Sequence, residues 1–570
     1  MNKELRSMLR KMNIRRVDHL PIAAQFCRRI GLINTINRAV PSEMEVDVGT
    51  VVQAMVLDTL SGRSPIYKLE EFIESHDTTS LLGREIPAVS FNDTTVGRAM
   101  DAIFNAGSKK IFSQVAVKAA LAFPEDMDMQ HVHFDTTSVN VWGEYDVYSD
   151  NDSEDRLVVT RGYSKDKRPD LKQFLISMLC VRRNIPVLGS CASGNASDKK
   201  LNNEVLSRLS EYMAAHGLAQ GAFVYVADSA LVNEGNLELL FDILFITRLP
   251  ATYSETDRVV GDAVSDGVWI DVPKKEVPRG ARVPAQYQVC DSTVTLYGKE
   301  YRAIVVHSDA HDKRRLKRLD RRLGESLKDA GDRLRKVCDV EYFCREDAEA
   351  AAKRLSTKTT RYHSYQLEVN KQVTYARGRP LKSGERKVSS VKYIVDGALE
   401  ERTEEIKKAR REAGCFVLLT NTPKDGDMAH TPADVLAAYK EQHGIERNFG
   451  FLKDPLIVND LFLKKPERIE ALGLILLISL LIWNLMEHVV RGYLRQTGST
   501  VVGLDKRITD RPTSYAMSCM FSGLQIVECE GARQFTRPLT IAQKEYLEAL
   551  DLNEEQLVMY EGEGNDSGYD

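Results

Sequence analysis

Apolar residues recur at helical spacing through the first 125 residues, most clearly in LPIAAQFCRRIGLINTINRAV and VGTVVQAMVLDTLSG. This predicts a helical N-terminal domain over 1–125, with Asp93-Thr94 starting the helix VGRAMDAIF. After Phe123-Pro124 the rhythm changes to short β-rich runs: MQHVHFD, SVNVWGEY, KQFLISMLCVRR and PVLGSCA. A helix from Asn203 to His216 follows, then FVYVAD and ILFITRLP. Strands giving way to alternating helix and strand predict a mixed α/β layer over 126–250.

From 251 to 413 the composition shifts, as an insertion would. HDKRRLKRLDRRLGESLKDAGDRLRK sets Leu316, Leu319, Leu323, Leu327 and Leu334 at helical spacing and crowds Arg and Lys onto the other faces. One reading of such a helix is a solvated amphipathic element. Beyond it, YHSYQLEVNKQVTYARGRPLKSGERKVSSVKYIV alternates as an antiparallel sheet does, and its basic loop from Arg377 to Lys387 suits phosphate contact or plain solvation. A buried-strand pattern returns at GCFVLLTN, and the core is expected to resume over 414–500. Thr431-Pro432 starts a helix, and AAYKEQHGIERNFGFLK reads as one helix. The apolar run ALGLILLISLLIWNLM is shorter than the roughly 20 residues a membrane span needs and reads as a buried core helix. Residues 501–570 end in the acidic, glycine-containing EGEGNDSGYD, expected to be disordered.

Composition alters this picture little. The 570 residues are 43% hydrophobic and 28% charged with a net charge of −4, which is ordinary for a globular protein and argues against polyanion binding over the whole surface. Nine scattered cysteines form no CxxC pair, so neither a zinc knuckle nor a disulfide framework is indicated, and a reducing cytoplasm is expected. The N-terminal segment lacks the continuous apolar core of a secretory signal.

The candidate chemistry lies in three acidic residues on separated elements. Asp135 lies at the end of the strand HVHFDTTS, Asp228 ends FVYVAD, and Glu446 lies on the helix that follows Thr431-Pro432. Carboxylates drawn together from distant points repel one another unless a cation lies between them, and hard oxygen donors favour Mg²⁺ or Mn²⁺. Two such ions support in-line displacement at phosphorus. On one continuous helix Tyr439, Gln442, Glu446 and Lys453 would form a single stripe, suited to a phosphodiester backbone. His131 and His133 alternate with Asp135 in an H-x-H-x-D string that also occurs in metallo-hydrolases, but Thr136 stands where a further His would be expected and no second His cluster follows. Trp142 is either a base-stacking platform or a core residue.

These residues resemble the DDE transposases of bacterial insertion sequences, in the branch with a Y-x2-R-x3-E-x6-K signature. Here it reads Tyr439, Gln442, Glu446 and Lys453, with Gln442 in place of the Arg. HFDTTS, GYSKDKRPDLKQF, YVADSALV, FITRLP and GCFVLLTN are further family-like phrases, and the resemblance runs over residues 15 to 530. It implies an α/β fold: an RNase H-like mixed sheet flanked by helices, interrupted by a largely β insertion, with a helical N-terminal domain. It also implies that Asp135, Asp228 and Glu446 bind two Mg²⁺ ions, with Mn²⁺ as a substitute, for strand cleavage at terminal inverted repeats and transfer of the freed 3′-hydroxyl to target DNA. The expected partner is double-stranded DNA, bound by a homodimer, in the bacterial cytoplasm at the nucleoid. Arg248, Arg377 and Arg379 are further candidate phosphate contacts beside Tyr439, Gln442 and Lys453. Two alternatives stay open: a catalytically silent DNA-binding descendant, and an RNase H-like nuclease.

Overall fold

The computed structural model describes residues 11–62, 68–127, 129–142, 145, 157–182, 184–215, 222–273, 285–309, 313–378, 386–426, 428–453, 463 and 465–559. Arg379 and the acidic tail lie outside them. The chain divides into two compact units, one of residues 1–247, 422–429 and 437–570, the other of 248–421 and 430–436. Helices of eight residues or more, and the strands of the larger sheets, are numbered below.

The first unit carries the mixed α/β layer that the alternation of strands and helices predicts. Its strands are β1 (His131–Val141), β2 (Lys172–Val181), β3 (Ile185–Ser193), β4 (Val224–Ala227) and β5 (Leu244–Arg248), whose last residue opens the second unit. They are ordered β3-β2-β1-β4-β5. β1, β2 and β3 run antiparallel, whereas β4 pairs parallel with β1 and β5 parallel with β4. This is the RNase H-like mixed sheet. β1 is buried on both faces, as a central strand must be, with Val132, Phe134 and Val139 almost fully enclosed.

The N-terminal helices are α1 (Leu20–Arg29), α2 (Leu32–Ala39), α3 (Val48–Leu60), α4 (Asp93–Ala106) and α5 (Ser108–Ala122). Asp47 caps α3 by accepting from Thr50 N–H, and Asn92 caps α4 by accepting from Thr94 and Thr95, one residue ahead of the predicted start. Sequence patterning reads these helices as a domain of their own, but they share a core with the sheet. The physical reason is the helix Pro466–Thr497, of whose apolar window 89% is buried. It packs against β3 on one side and against α1, α3, α4 and α5 on others, while α5 also rests on β3. A helix apolar all round must be covered all round, and the N-terminal helices supply that cover. Contact with the sheet is close: a Cβ at Gly189 of β3 would lie 2.5 Å from Leu477 Cδ1, so any larger residue there would have to displace that leucine. This helix is long and apolar enough to cross a membrane, by length and composition alone.

The second unit contains α7 (Ser254–Asp266), α8 (Lys313–Cys338), α9 (Arg345–Ser356) and α10 (Thr403–Ala413). Its strands are β6 (Ile270–Asp271), β7 (Tyr287–Leu296), β8 (Lys299–Ser308), β9 (Glu341–Tyr342), β10 (His363–Tyr375), β11 (Val388–Glu401) and β12 (Cys415–Thr420). One antiparallel run is ordered β12-β8-β7-β6 and a second sheet β9-β11-β10. The expected insertion is therefore mixed rather than largely β, with two antiparallel sets of strands and four helices among the described residues, and the basic helix α8 laid on β11. β12, the strand expected to resume the core, pairs with β8, and the first unit resumes with residues 422–429 and from 437 onward.

α6 (Asp198–Ala215) belongs to the first unit, as do α12 (His443–Leu452), α13 (Pro466–Thr497, the central helix) and α14 (Ile541–Ala549). α11 (Pro432–Glu441) precedes α12. A small antiparallel sheet of Asn13–Arg16, Gln525–Cys529 and Ala532–Phe535 joins the two ends of the unit.

Candidate active site

The parallel register of β1 and β4 sets the site. Phe134 pairs with Ala227, so the next residue on each strand, Asp135 and Asp228, stands level with the other where the ladder ends. Asp135 Oδ1 accepts from Thr136 N–H at 2.7 Å, and Asp228 Oδ1 accepts from Ala230 N–H at 3.0 Å. The Asp228 carbonyl accepts from Thr247 Oγ1 at 2.7 Å, which ties the end of β4 to β5.

Burial pushes the Asp135 carboxyl up to about 7, with the Lys165 ammonium and the Thr136 N–H opposing and Asp228 and Asp198 adding to the rise. Burial also raises Asp228, against the pull of its bond from Ala230, with Asp198 adding to it. Two desolvated carboxyls that feel each other's charge form an anionic patch at the end of the β1–β4 ladder; Asp135 lies within β1, which continues to Val141, not at its end as the sequence predicts.

Two residues that sequence reasoning missed complete this end. Lys165 Nζ donates to the Thr136 carbonyl and to Thr136 Oγ1, each at 2.7 Å, and lies 3.8 Å from Asp135 Oδ1 and 3.4 Å from Asp198 Oδ2. Asp198, in the first turn of α6, accepts from Thr136 Oγ1. Lys165 lies within the family-like phrase GYSKDKRPDLKQF, which was its only signal, and Asp198 reads in sequence as an ordinary acidic first turn. The loop before Lys165 is held by Gln173, whose Nε2 donates to Gly194 O at 2.7 Å and to Tyr163 O at 3.2 Å.

Glu446 comes from a different element of the first unit. It lies on the exposed side of α12, a helix that packs on β1 through its other face, where Ile445 and Asn448 are buried. Among the described residues no three His, Cys, Asp or Glu side chains are grouped closely enough to hold a metal ion. What the site does show is attraction for a cation: the Lys165 ammonium lies within 4 Å of two carboxylates, beside a third that burial has made costly to ionise. Oxygen donors are the kind that Mg²⁺ and Mn²⁺ prefer, but the described side chains do not gather three of them around one point.

The expected stripe on one helix is corrected. α11 ends at Glu441 and α12 starts at His443, with i→i−3 bonds from Gln442 N to Tyr439 O (3.2 Å) and from Ile445 N to Gln442 O (3.0 Å) at the joint. Gly444, a poor helix former, adjoins this tightened turn. Tyr439 therefore belongs to α11, Gln442 to the joint, Glu446 to α12, and Lys453 to the cap that ends it. Lys453 Nζ lies 2.7 Å from Asp166 Oδ1, and Asn140 Nδ2 donates to Asp166 Oδ2 at 3.0 Å.

Trp142 is not a core residue: 57% of it is exposed. The Arg168 guanidinium carbon lies 5.1 Å from its ring centroid. Trp142, Arg168, Asn140, Asp166 and Lys453 line a concavity of about 210 Å³. His133 is fully buried, with Nε2 3.9 Å from Glu441 Oε2 at the end of α11. Arg248 and Arg377 belong to the second unit, Arg248 half-buried with its guanidinium 5.2 Å from the Phe416 ring centroid and Arg377 exposed just after β10.

Residues 12–117 match the family model of a domain of unknown function (DUF4277). That span covers α1 to α4 and most of α5, and ends before β1 and its aspartate. No curated protein matches the chain.

Proposed function

We propose that this protein is a DDE-type DNA transposase, acting by metal-dependent strand cleavage at terminal inverted repeats followed by 3′-hydroxyl strand transfer. The observation that carries the reading is the level pair Asp135, within β1, and Asp228, just past β4, where the parallel ladder of the two strands ends, buried and electrostatically linked. The match to DUF4277, a domain found in transposase-like proteins, supports it.

Asp135, Asp228 and Glu446 would hold two Mg²⁺ ions, or Mn²⁺ in their place, which when bound activate the attacking oxygen and stabilise the leaving one. The protein's own part is positioning. β1 and β4 present two carboxylates with little freedom to move, and α12 carries the third. Tyr439, Gln442 and Lys453 follow one another on α11, at the joint and at the cap that ends α12, where they would meet the phosphate backbone of the DNA end. Double-stranded DNA is the substrate, a homodimer on DNA holds both ends, and the bacterial cytoplasm is the compartment.

A second reading, a catalytically silent transposase descendant that only binds DNA, draws on one observation: among the described residues no three acidic side chains are grouped closely enough to hold a metal ion. One assay separates the two. A labelled duplex carrying the flanking repeats is incubated with Mg²⁺, with Mn²⁺ or with chelator, using wild type and Asp228→Asn. Metal-dependent nicking at the repeat boundary that the substitution abolishes supports the transposase. Specific binding without nicking supports the silent form.

A further inference from the structure

Three helices of the second unit open on acids, as the helix dipole favours. α9 opens on Glu346 and Asp347 and closes on Lys353 and Arg354, and α10 opens on Glu404 and Glu405 and closes on Arg410 and Arg411. α7 opens on Glu255 and Asp257. Acids at the positive N-terminus and bases at the negative C-terminus stabilise a helix. α8 closes on Arg335 and Lys336 but departs from this at its start, with no acid in its first turn. From Lys313 to Arg322 it carries Lys313, Arg314, Arg315, Lys317, Arg318, Arg321 and Arg322 against the single acid Asp320. Cations at that end work against the dipole, so helix stability does not account for them.

The acid is also neutralised from outside the helix, since Asp320 Oδ1 lies 3.1 Å from the Arg410 guanidinium of α10. Lys317, Arg318, Arg321 and Arg322 are all exposed, at i, i+1, i+4 and i+5, which places them on one side. The opposite side is anchored by Leu319 and Ala330, both buried. Arg321 is shared with Glu325 at 3.6 Å, and among the described residues Lys317, Arg318 and Arg322 form no ion pair. The two pairs of cations are about 6 Å apart along the helix axis, against a rise of about 3.4 Å per phosphate along one DNA strand. A solvated face would need neither this density nor this sign at the positive end of a helix.

We propose that Lys317, Arg318, Arg321 and Arg322 form a docking surface for the phosphate backbone of duplex DNA, a contact of the second unit that is independent of base sequence. It rests on the reading of the protein as a DNA enzyme in one respect, the choice of DNA as the polyanion. Each backbone contact releases condensed counterions, so binding through this face falls steeply with salt.

The test uses the full chain and a fluorescent 30-base-pair duplex of arbitrary sequence, titrated at several salt concentrations. Replacing Lys317, Arg318, Arg321 and Arg322 together by Gln should weaken binding at least tenfold near 100 mM salt. The slope of log K against log salt should flatten by about 0.9 for each phosphate that is no longer neutralised. Melting temperature should hold or rise, because cations leave the positive end of a helix. The pair Arg318→Gln/Arg322→Gln should show a proportionate part of the loss and serves if the fourfold variant folds poorly. A control replaces Lys328, Arg333, Arg335 and Lys336, the same number of exposed cations at the other end, and should change binding much less. Unchanged affinity and slope overturn the proposal, as do an equal loss in the control, no duplex binding by wild type, or tighter binding to RNA than to DNA. Duplex binding that depends on this face without any strand cleavage leaves this surface standing and counts against the transposase.

Discussion

Asn448 and Asn484 share one acceptor: each donates through Nδ2 to the Asn184 carbonyl at 2.7 Å, and Asn484 Nδ2 also lies 3.1 Å from Asn448 Oδ1. Asn184 Nδ2 donates in return to Asn484 Oδ1 at 2.9 Å, and His488 Nε2 lies 2.8 Å from Asn184 Oδ1. This polar cluster, buried where α12, α13 and the β2–β3 turn meet, fixes the rotation of α12 about its axis. Asn448 is two residues from Glu446, so the cluster also sets where that carboxylate points.

Asn448→Ala removes a donor and leaves Asn184 and Asn484 short of a partner in a closed site. The expected cost is about 1–3 kcal/mol of stability. Strand cleavage should fall while affinity for the DNA end stays near wild type. Glu446→Gln should abolish cleavage at almost unchanged stability. Chemical denaturation and single-turnover cleavage on both variants check the contrast, and equal stability losses would place the two residues in the same structural role.

Asp135 makes stability depend on pH. Its folded value of about 7 lies above the roughly 3.9 of an unfolded aspartate, so the protonated form is favoured by folding. The stability this contributes is fully present below about pH 4 and is lost as pH rises through 7. In chelator, wild type should therefore lose stability relative to Asp135→Asn between pH 4 and 7, on the order of 1.4 kcal/mol per unit. Added Mg²⁺ at pH 8 should stabilise wild type and not the variant. Denaturation curves at several pH values measure the difference, and parallel pH profiles would contradict it.

Lys165 compensates the charge of the acidic sheet end. Lys165→Met should destabilise the chelated protein by about 1–3 kcal/mol, because the ammonium donates two hydrogen bonds to Thr136 and lies near Asp135 and Asp198. Removing an acid as well, in Lys165→Met/Asp198→Asn, should recover part of that loss. A double-mutant cycle decides it: strictly additive effects would mean that the lysine and the aspartate do not act on each other.

Much of this was legible in the chain. HVHFDTTS and FVYVAD read as strands because period and β-branched content are local properties, although the first runs on to Val141 rather than ending at Asp135, and ALGLILLISLLIWNLM reads as a buried helix because no polar face interrupts it. Which elements cover that helix is not local, so the N-terminal helices read as a separate domain. The break at Gln442 was invisible because a tightened turn leaves helical spacing almost intact. Lys165 and Asp198 meet only through Thr136, a meeting of three distant segments that spacing does not encode. Trp142 illustrates the reverse: a strand position predicts burial, but the residue lies one past the end of β1, where the sheet no longer covers it.

That exposure gives the last prediction its basis. Trp142 offers a flat apolar face, Arg168 lies over it, and Lys453 is held beside it by Asp166. Lys453→Ala removes one phosphate contact while leaving the aspartate pair untouched, so binding of the DNA end should weaken several-fold. The salt slope should flatten by about 0.9, and residual metal-dependent cleavage should persist. Trp142→Ala should weaken binding by about 1–3 kcal/mol for an unpaired base, and Trp142→Phe should restore most of it, since stacking needs a ring rather than an indole. Fluorescence anisotropy with duplex ends and with ends carrying a single-stranded extension separates the two. If Lys453→Ala cleaves and binds as wild type does, the lysine serves only to hold Asp166.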